Sequence, residues 1–253
     1  MPLTDTHCHL LDSRMADALH ELLANAKRSG VTRFICCASS EAEWGDVLAL
    51  AERESGVVPM LGLHPWYAGQ AKRGWEGRLF ELLQKYPAGI GECGLDFAIP
   101  EADREAQVAA LEVQWGMALK LNRPLSLHCR KSFDVLFDMA ENLGLPKRGA
   151  VIHAFSGSVE LTKTAIKLGF HLSFSCSLMN PKNKRARSAV LAVPLDRLLL
   201  ETDSPDISPN PGALNEPANL RPLYSVEAEL RRETMEALEA QLWCSADKIF
   251  DAL

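Results

Sequence analysis

No two of the seven cysteines are spaced C-x-x-C and their number is odd, which leaves no disulfide framework or thiol pair and points to reduced thiols. No stretch approaches the roughly 20 apolar residues that span a bilayer, and the opening "MPLTDTHCHL" lacks a basic flank followed by an apolar run. A cytoplasmic protein without a membrane partner is therefore expected. Basic residues are outnumbered, 27 Lys and Arg against 33 Asp and Glu, for a formal charge of −6. That balance argues against a broad basic face for duplex nucleic acid, whose phosphates are held largely by clustered Lys and Arg. It leaves room for a phosphodiester gripped locally by metal ions. Low-complexity and disordered tracts are lacking too, since 47% hydrophobic and 24% charged residues make an ordinary globular composition.

What is present is a repeated βα pattern. "LTDTHCH" at the start, then "TRFICCA" (32–38), "VVPMLGLHP" (57–65), "AGIGECGLD" (88–96), "PLSLHC" (124–129), "GAVIHAF" (149–155), "GFHLSFS" (169–175) and "DRLLLETD" (196–203) read as eight strands. Amphipathic stretches lie between them, clearest where Val108, Leu111, Trp115 and Leu119 recur at helical spacing. Ser40 with Glu43 fits a capping box, and Gly144 and Gly169 stand where helices should end. Eight such units in 253 residues predict an α/β protein of the (β/α)₈ barrel type, one domain over 1–253, with a doubly wound sheet as the competitor. The Pro- and Asn-rich loop after the last strand falls where barrels build their active-site rim.

Successive side chains of a strand alternate faces, so each ligand-type residue fixes the parity of its neighbours. His7 and His9 share a face with Asp5, and Cys8 takes the other. His128 pairs with Ser126, His153 with Val151, Glu92 with Ile90, and Asp203 with Glu201 and Leu199. Each lies at the C-terminal end of its strand, where barrel active sites converge. His7, His9, Glu92, His128, His153 and Asp203 thus form one expected cluster, enough nitrogen and oxygen ligands for two divalent ions if one carboxylate bridges. Cys8, Cys93 and Cys129 point away from it toward the helices. Asp5 and Glu201, one layer deeper, are placed to orient metal-bound imidazoles. His20 and His171 fall outside the site.

These residues resemble the TatD family of metal-dependent deoxyribonucleases, within the amidohydrolase-like barrels. The matching stretches are "DTHCHL", "GLHPW", "GIGECGLDF", "HCRKSFDVL", "HAFSGS" and "ETDSPDISP…NEPANL", spread from residue 5 to about 220. The resemblance implies a first metal on His7, His9, Glu92 and Asp203 and a second on Glu92, His128 and His153. It implies magnesium, manganese or zinc, and hydrolysis of DNA phosphodiesters, single strands or 3′ ends as substrate; a monomer is expected. The chain departs from the family where many members carry an aromatic residue and a basic "RGKRNEP"-like run: here stand Asp206 and "PNPGALNEP".

In such a site Asp203 is the expected general base and Glu92 the bridge. Arg130, His64 and Ser156 are the expected substrate contacts, each weighed against a plain structural use as rim arginine, turn histidine and helix cap. Trp66 is a candidate stacking surface, whereas Trp115 belongs to a helix's apolar stripe. The alternative chemistry is a deacylase, lactonase or amidohydrolase attacking a carbonyl, for example of aminoacyl-tRNA. A carbamylated lysine at the end of the fourth strand would favour it, and Glu92 stands there instead.

Overall fold

All eight β-like runs form strands in the computed structural model, which describes residues 1–251. They are β1 (Leu3–Cys8), β2 (Val31–Cys37), β3 (Val57–Leu61), β4 (Gly89–Asp96), β5 (Leu125–Arg130), β6 (Ala150–Ile152), β7 (His171–Phe174) and β8 (Leu198–Leu200). Every neighbouring pair is parallel and the spatial order is the chain order, β1 to β8. A doubly wound sheet would reverse that order partway, so the barrel reading holds. Closure occurs at the β1/β8 seam, where His9 N donates to Ser204 O at 2.8 Å and Asp203 N to His7 O at 3.0 Å. Three expected ligands therefore sit on the seam itself.

Helices α1 (Leu19–Arg28), α2 (Trp44–Arg53), α3 (Trp75–Lys85), α4 (Arg104–Leu121), α5 (Phe133–Leu143), α6 (Val159–Leu168), α7 (Lys184–Leu191), α8 (Leu220–Arg231) and α9 (Met235–Phe250) surround the sheet. Gly169 ends α6 in the left-handed region at φ 99°, the conformation that favours glycine, and Gly144 ends α5 at φ 73°. Ahead of α2 the expected capping box is displaced by one residue. Glu43 receives the Ser40 hydroxyl at 3.1 Å and the Ser39 backbone N–H at 2.9 Å, and a short 3₁₀ turn precedes the helix.

The outer core is one large cluster between sheet and helices, and it takes in Cys8, Cys93 and Cys129 as expected. A second, smaller cluster fills the lumen: Ile35 and Cys37 of β2, Met60 of β3, Val151 of β6 and Leu199 of β8, packed on Ala246, Ile249 and Phe250 of α9. Because Arg148, just before β6, donates to Ile249 O at 3.2 Å, this plug closes the N-terminal end. The opposite end is left for the site.

One feature of α4 differs from the expected stripe. Trp115 and Leu111 are buried, but Leu119 is 38% exposed and the buried face includes Gln107 and Gln114. Each amide side chain grips a strand-end backbone at both its N–H and its C=O. Asp96 N donates to Gln107 Oε1 at 2.8 Å and Gln107 Nε2 to Asp96 O at 3.1 Å; Gln114 does the same to Leu63 at 2.8 and 3.2 Å.

Candidate active site

Parity holds in three of the five ligand-bearing strands. Val151 and Leu199 lie in the lumen beneath His153 and Glu201, and Ser126 lies beneath His128. It fails in β1 and β4. There the pairing slips, Asp5↔Phe34 being followed by Cys8↔Cys36 and Ile90↔Leu125 by Cys93↔Leu127, three residues against two. A slip of one residue exchanges the faces. Ile90 therefore packs in the outer core while Glu92 enters the lumen. Asp5 likewise does not lie beneath the histidines as expected. Its carboxylate accepts from Thr202 N at 2.8 Å and Thr202 Oγ1 at 2.5 Å, and so holds the segment that carries Asp203.

Glu92 is the hub. Its Oε1 faces His153 Nε2 at 2.7 Å and His128 Nδ1 at 2.9 Å, while Oε2 faces His9 Nε2 at 3.1 Å and His7 Nε2 at 3.4 Å. Asp203 Oδ1 stands 3.8 and 3.9 Å from the same nitrogens of His9 and His7. All six expected ligands are thus brought together, the four imidazoles divided between the two oxygens of the Glu92 carboxylate and Asp203 beside His7 and His9.

The far nitrogens of these imidazoles each face an oxygen outside the hub. His9 Nδ1 donates to the Cys37 carbonyl at 3.1 Å, His128 Nε2 meets Asp96 Oδ2 at 3.3 Å, His153 Nδ1 faces Glu201 Oε1 at 3.5 Å, and His7 Nδ1 meets Ser126 Oγ at 2.9 Å. The carbonyl behind His9 and the carboxylate behind His128 accept only, so they fix N–H groups there and turn lone pairs inward. His7 Nε2 and His9 Nε2 then face each other at only 3.2 Å. Converging nitrogen and carboxylate donors of this kind fit divalent cations. His64 is built the opposite way. Its Nδ1 accepts from Trp66 N at 3.2 Å, so the hydrogen sits on Nε2, 3.2 Å from Glu92 Oε1. It is a donor, and the group it faces is the Glu92 carboxylate.

Electrostatics follow from burial and crowding. Burial alone would raise Glu92, but the charges of His64 and His153 and the hydrogen bond from His128 hold it well below the carboxylate range. Burial raises Asp203 to about 7 against the opposing pull of His153 and His9. His7 is pushed down to about 4, chiefly by burial and the charge of His153. Burial works against protonation of His9 as well, yet its hydrogen bond and charge interaction with Glu92 raise it to about 9. The thiol of Cys37, 3.4 Å from His7 Nδ1, is driven well up by burial and remains a neutral neighbour.

Above the hub opens a cavity of about 730 Å³. His64, Arg130 and Ser156 all line it. The Arg130 side chain is 60% exposed, with its nearest carboxylate, Asp96, 4.0 Å away. Ser156 is exposed too, and the cap of α6 is Ser158, so the helix-cap use does not apply to it. His20 lies exposed on α1 and His171 begins β7, both away from the mouth as expected. Asp206 is one arm of a clamp. Arg14 binds it through both terminal nitrogens at 2.9 Å and binds Asp12 at 2.8 Å, tying the loop after β1 to the loop after β8.

Asp96 was not expected. It is fully buried, and burial would raise its carboxyl, but hydrogen bonds from His128 and Trp66 hold it well below the usual range. A signal was present: Glu92, Gly94 and Asp96 alternate on one face of β4. Gly94 is part of that signal, because a Cβ there would lie 2.0 Å from His128 O and force β4 and β5 apart.

The family model described as TatD related DNase matches residues 4–251. The metal-dependent hydrolase YjjV of Escherichia coli K12 is 31% identical over 98% of this chain and 97% of its own length. The 3′-5′ ssDNA/RNA exonuclease TatD of Erwinia billingiae is 30% identical over 97% and 98%. The crystal structure of E. coli YjjV, a TatD homolog, superposes with a TM-score of 0.94 at 30% identity over 99% of this chain and 98% of that one. With its barrel, its histidine and carboxylate hub and a match over nearly its whole length, this chain belongs to the TatD-related DNase family.

Proposed function

We propose that the protein is a divalent-metal-dependent deoxyribonuclease that removes nucleotides from the 3′ end of single-stranded DNA. The observation that carries this reading is the division of the hub, with His7 and His9 on one oxygen of Glu92 and Asp203 beside them, and His128 and His153 on the other oxygen. These six residues would hold two divalent ions, magnesium, manganese or zinc, with Glu92 shared. When bound, such ions would supply Lewis-acid polarisation of a phosphoryl group and an acidified water as attacking group. The nuclease relatives support DNA as substrate.

The chain's own residues do the rest. Asp203, which lines the cavity, takes the proton of the attacking water. His64 donates its Nε2–H to the phosphate or to the leaving oxygen, and the exposed Arg130 guanidinium grips a non-bridging oxygen. Ser156 lends a hydroxyl at the rim. Glu201, Asp96, Ser126 and the Cys37 carbonyl keep the ligand imidazoles aimed inward.

The test is metal-reconstituted protein on 3′-labelled single-stranded DNA, with aminoacyl-tRNA and a panel of small esters and lactones alongside. Wild type should release mononucleotides only with metal, and Asp203→Asn should lose about 10²- to 10⁴-fold in rate, as expected for a lost general base. Hydrolysis of an ester or of aminoacyl-tRNA without phosphodiester cleavage would replace this reading with carbonyl chemistry.

A further inference from the structure

The mouth has two chemically different walls. On the β8 and β1 side the Arg14 guanidinium is saturated by the carboxylates of Asp12 and Asp206. Sequential strand order puts β3 to β5 on the opposite side of the ring. That wall presents Trp66 at 53% and Tyr67 at 39% exposure, together with Arg130. Trp44, Trp75 and Trp115 are all buried, and the ring of Trp243 is covered by the Arg33 guanidinium at 4.2 Å. Trp66 alone among the five offers a large bare indole, and it does so inside the catalytic cavity.

Its position is fixed at two points. The indole Nε1 donates to Asp96 Oδ2 at 2.9 Å, and the backbone N–H donates to His64 Nδ1 at 3.2 Å. The ring stands edge-on to His64, with 4.9 Å between centroids and 89° between planes. An aromatic face that is both solvent-exposed and held in place loses little freedom on binding, which favours it as a stacking surface. The buried carboxylate that holds it also faces His128 Nε2 at 3.3 Å.

We propose that Trp66 is the stacking platform for the nucleobase of the nucleotide being released, and that Asp96 is the positioning residue that sets this platform against His128. The inference rests on the phosphodiester reading above. It assigns the base to the β3–β5 wall, where Arg130 lies within reach of the adjoining phosphate, and leaves the clamped wall without a base.

The experiment compares cleavage of DNA ending in an intact 3′ nucleotide with DNA ending in a 3′ abasic nucleotide, for wild type, Trp66→Phe and Trp66→Ala. Stacking of one base predicts a preference for the intact end of roughly tenfold or more in wild type. The preference should fall to near unity in Trp66→Ala and survive in part in Trp66→Phe, which keeps a ring but loses the tether to Asp96. Cleavage with an intact preference in Trp66→Ala overturns the platform. Cleavage of neither substrate overturns the phosphodiester reading instead, and a binding measurement then decides the platform. With magnesium present, dAMP should quench wild-type fluorescence and deoxyribose 5-phosphate should not, and the quenching should vanish in Trp66→Phe. Equal quenching by both compounds, or none, overturns it.

Discussion

A cysteine between two histidines, "HCH" at 7–9, poses the residue-scale question of which side chains could meet a metal. The structure separates them: both imidazoles reach Glu92, and Cys8 is fully buried among apolar residues of the outer core. Cys8→Ala should therefore keep the metal stoichiometry of wild type and cost about 1 kcal/mol of stability, an ordinary core truncation. His9→Ala should lose one ion per chain. Metal analysis after saturation and dialysis checks both, and loss of an ion in Cys8→Ala would require the opposite strand register. The His and Asp ligands were legible because period-2 geometry near a strand end is local. Asp5 and Ile90 were misplaced because a bulge is set by the neighbouring strand, which one strand's sequence does not contain. The role of Asp96 is not legible for another reason: its partners, His128 and Trp66, come from β5 and from the turn after β3.

At the scale of elements, the strands were readable as apolar runs and the helices as amphipathic ones, but the inward side of α4 was not. Gln107 and Gln114 look like solvent-facing residues in a pattern scan, yet both are buried because each completes the hydrogen bonding of a strand-end backbone. Those backbones are the ones that precede His64 and carry Asp96, so α4 sets the wall on which Trp66 stands. Gln107→Leu fills similar space but leaves the Asp96 N–H and C=O buried without these partners, at about 1–3 kcal/mol for each unpaired group. A lower melting temperature is expected, together with faster amide exchange at the end of β4. The double change Gln107→Leu, Gln114→Leu should be close to additive in stability, because the two side chains grip separate strands. Unchanged exchange at Asp96 in Gln107→Leu would mean that the helix does not hold the strand end.

For the whole molecule, the eightfold repetition made the barrel legible, while its closure depends on contacts between residues almost two hundred positions apart. β8 is only three residues long, and the seam is completed by His7, His9, Asp203 and Ser204 rather than by a long ladder. Under the two-ion reading, cations bound by β1, β4, β5, β6 and the end of β8 would tie that seam to the far side of the barrel. Metal binding should then raise global stability and not activity alone. At a free metal concentration one hundred times the dissociation constant, linkage gives about 2.7 kcal/mol per site. For a chain of this size that amounts to roughly 5–10 °C in melting temperature per site, and about 10–20 °C for the two together. Chelation should lower the melting temperature by that order and readdition of metal should restore it. His9→Ala, lacking one ion, should show a smaller response, while Cys8→Ala should respond in full. Equal melting temperatures with and without saturating metal, in a protein shown by analysis to bind it, would mean that the unfolded chain holds the ions as well as the assembled site does.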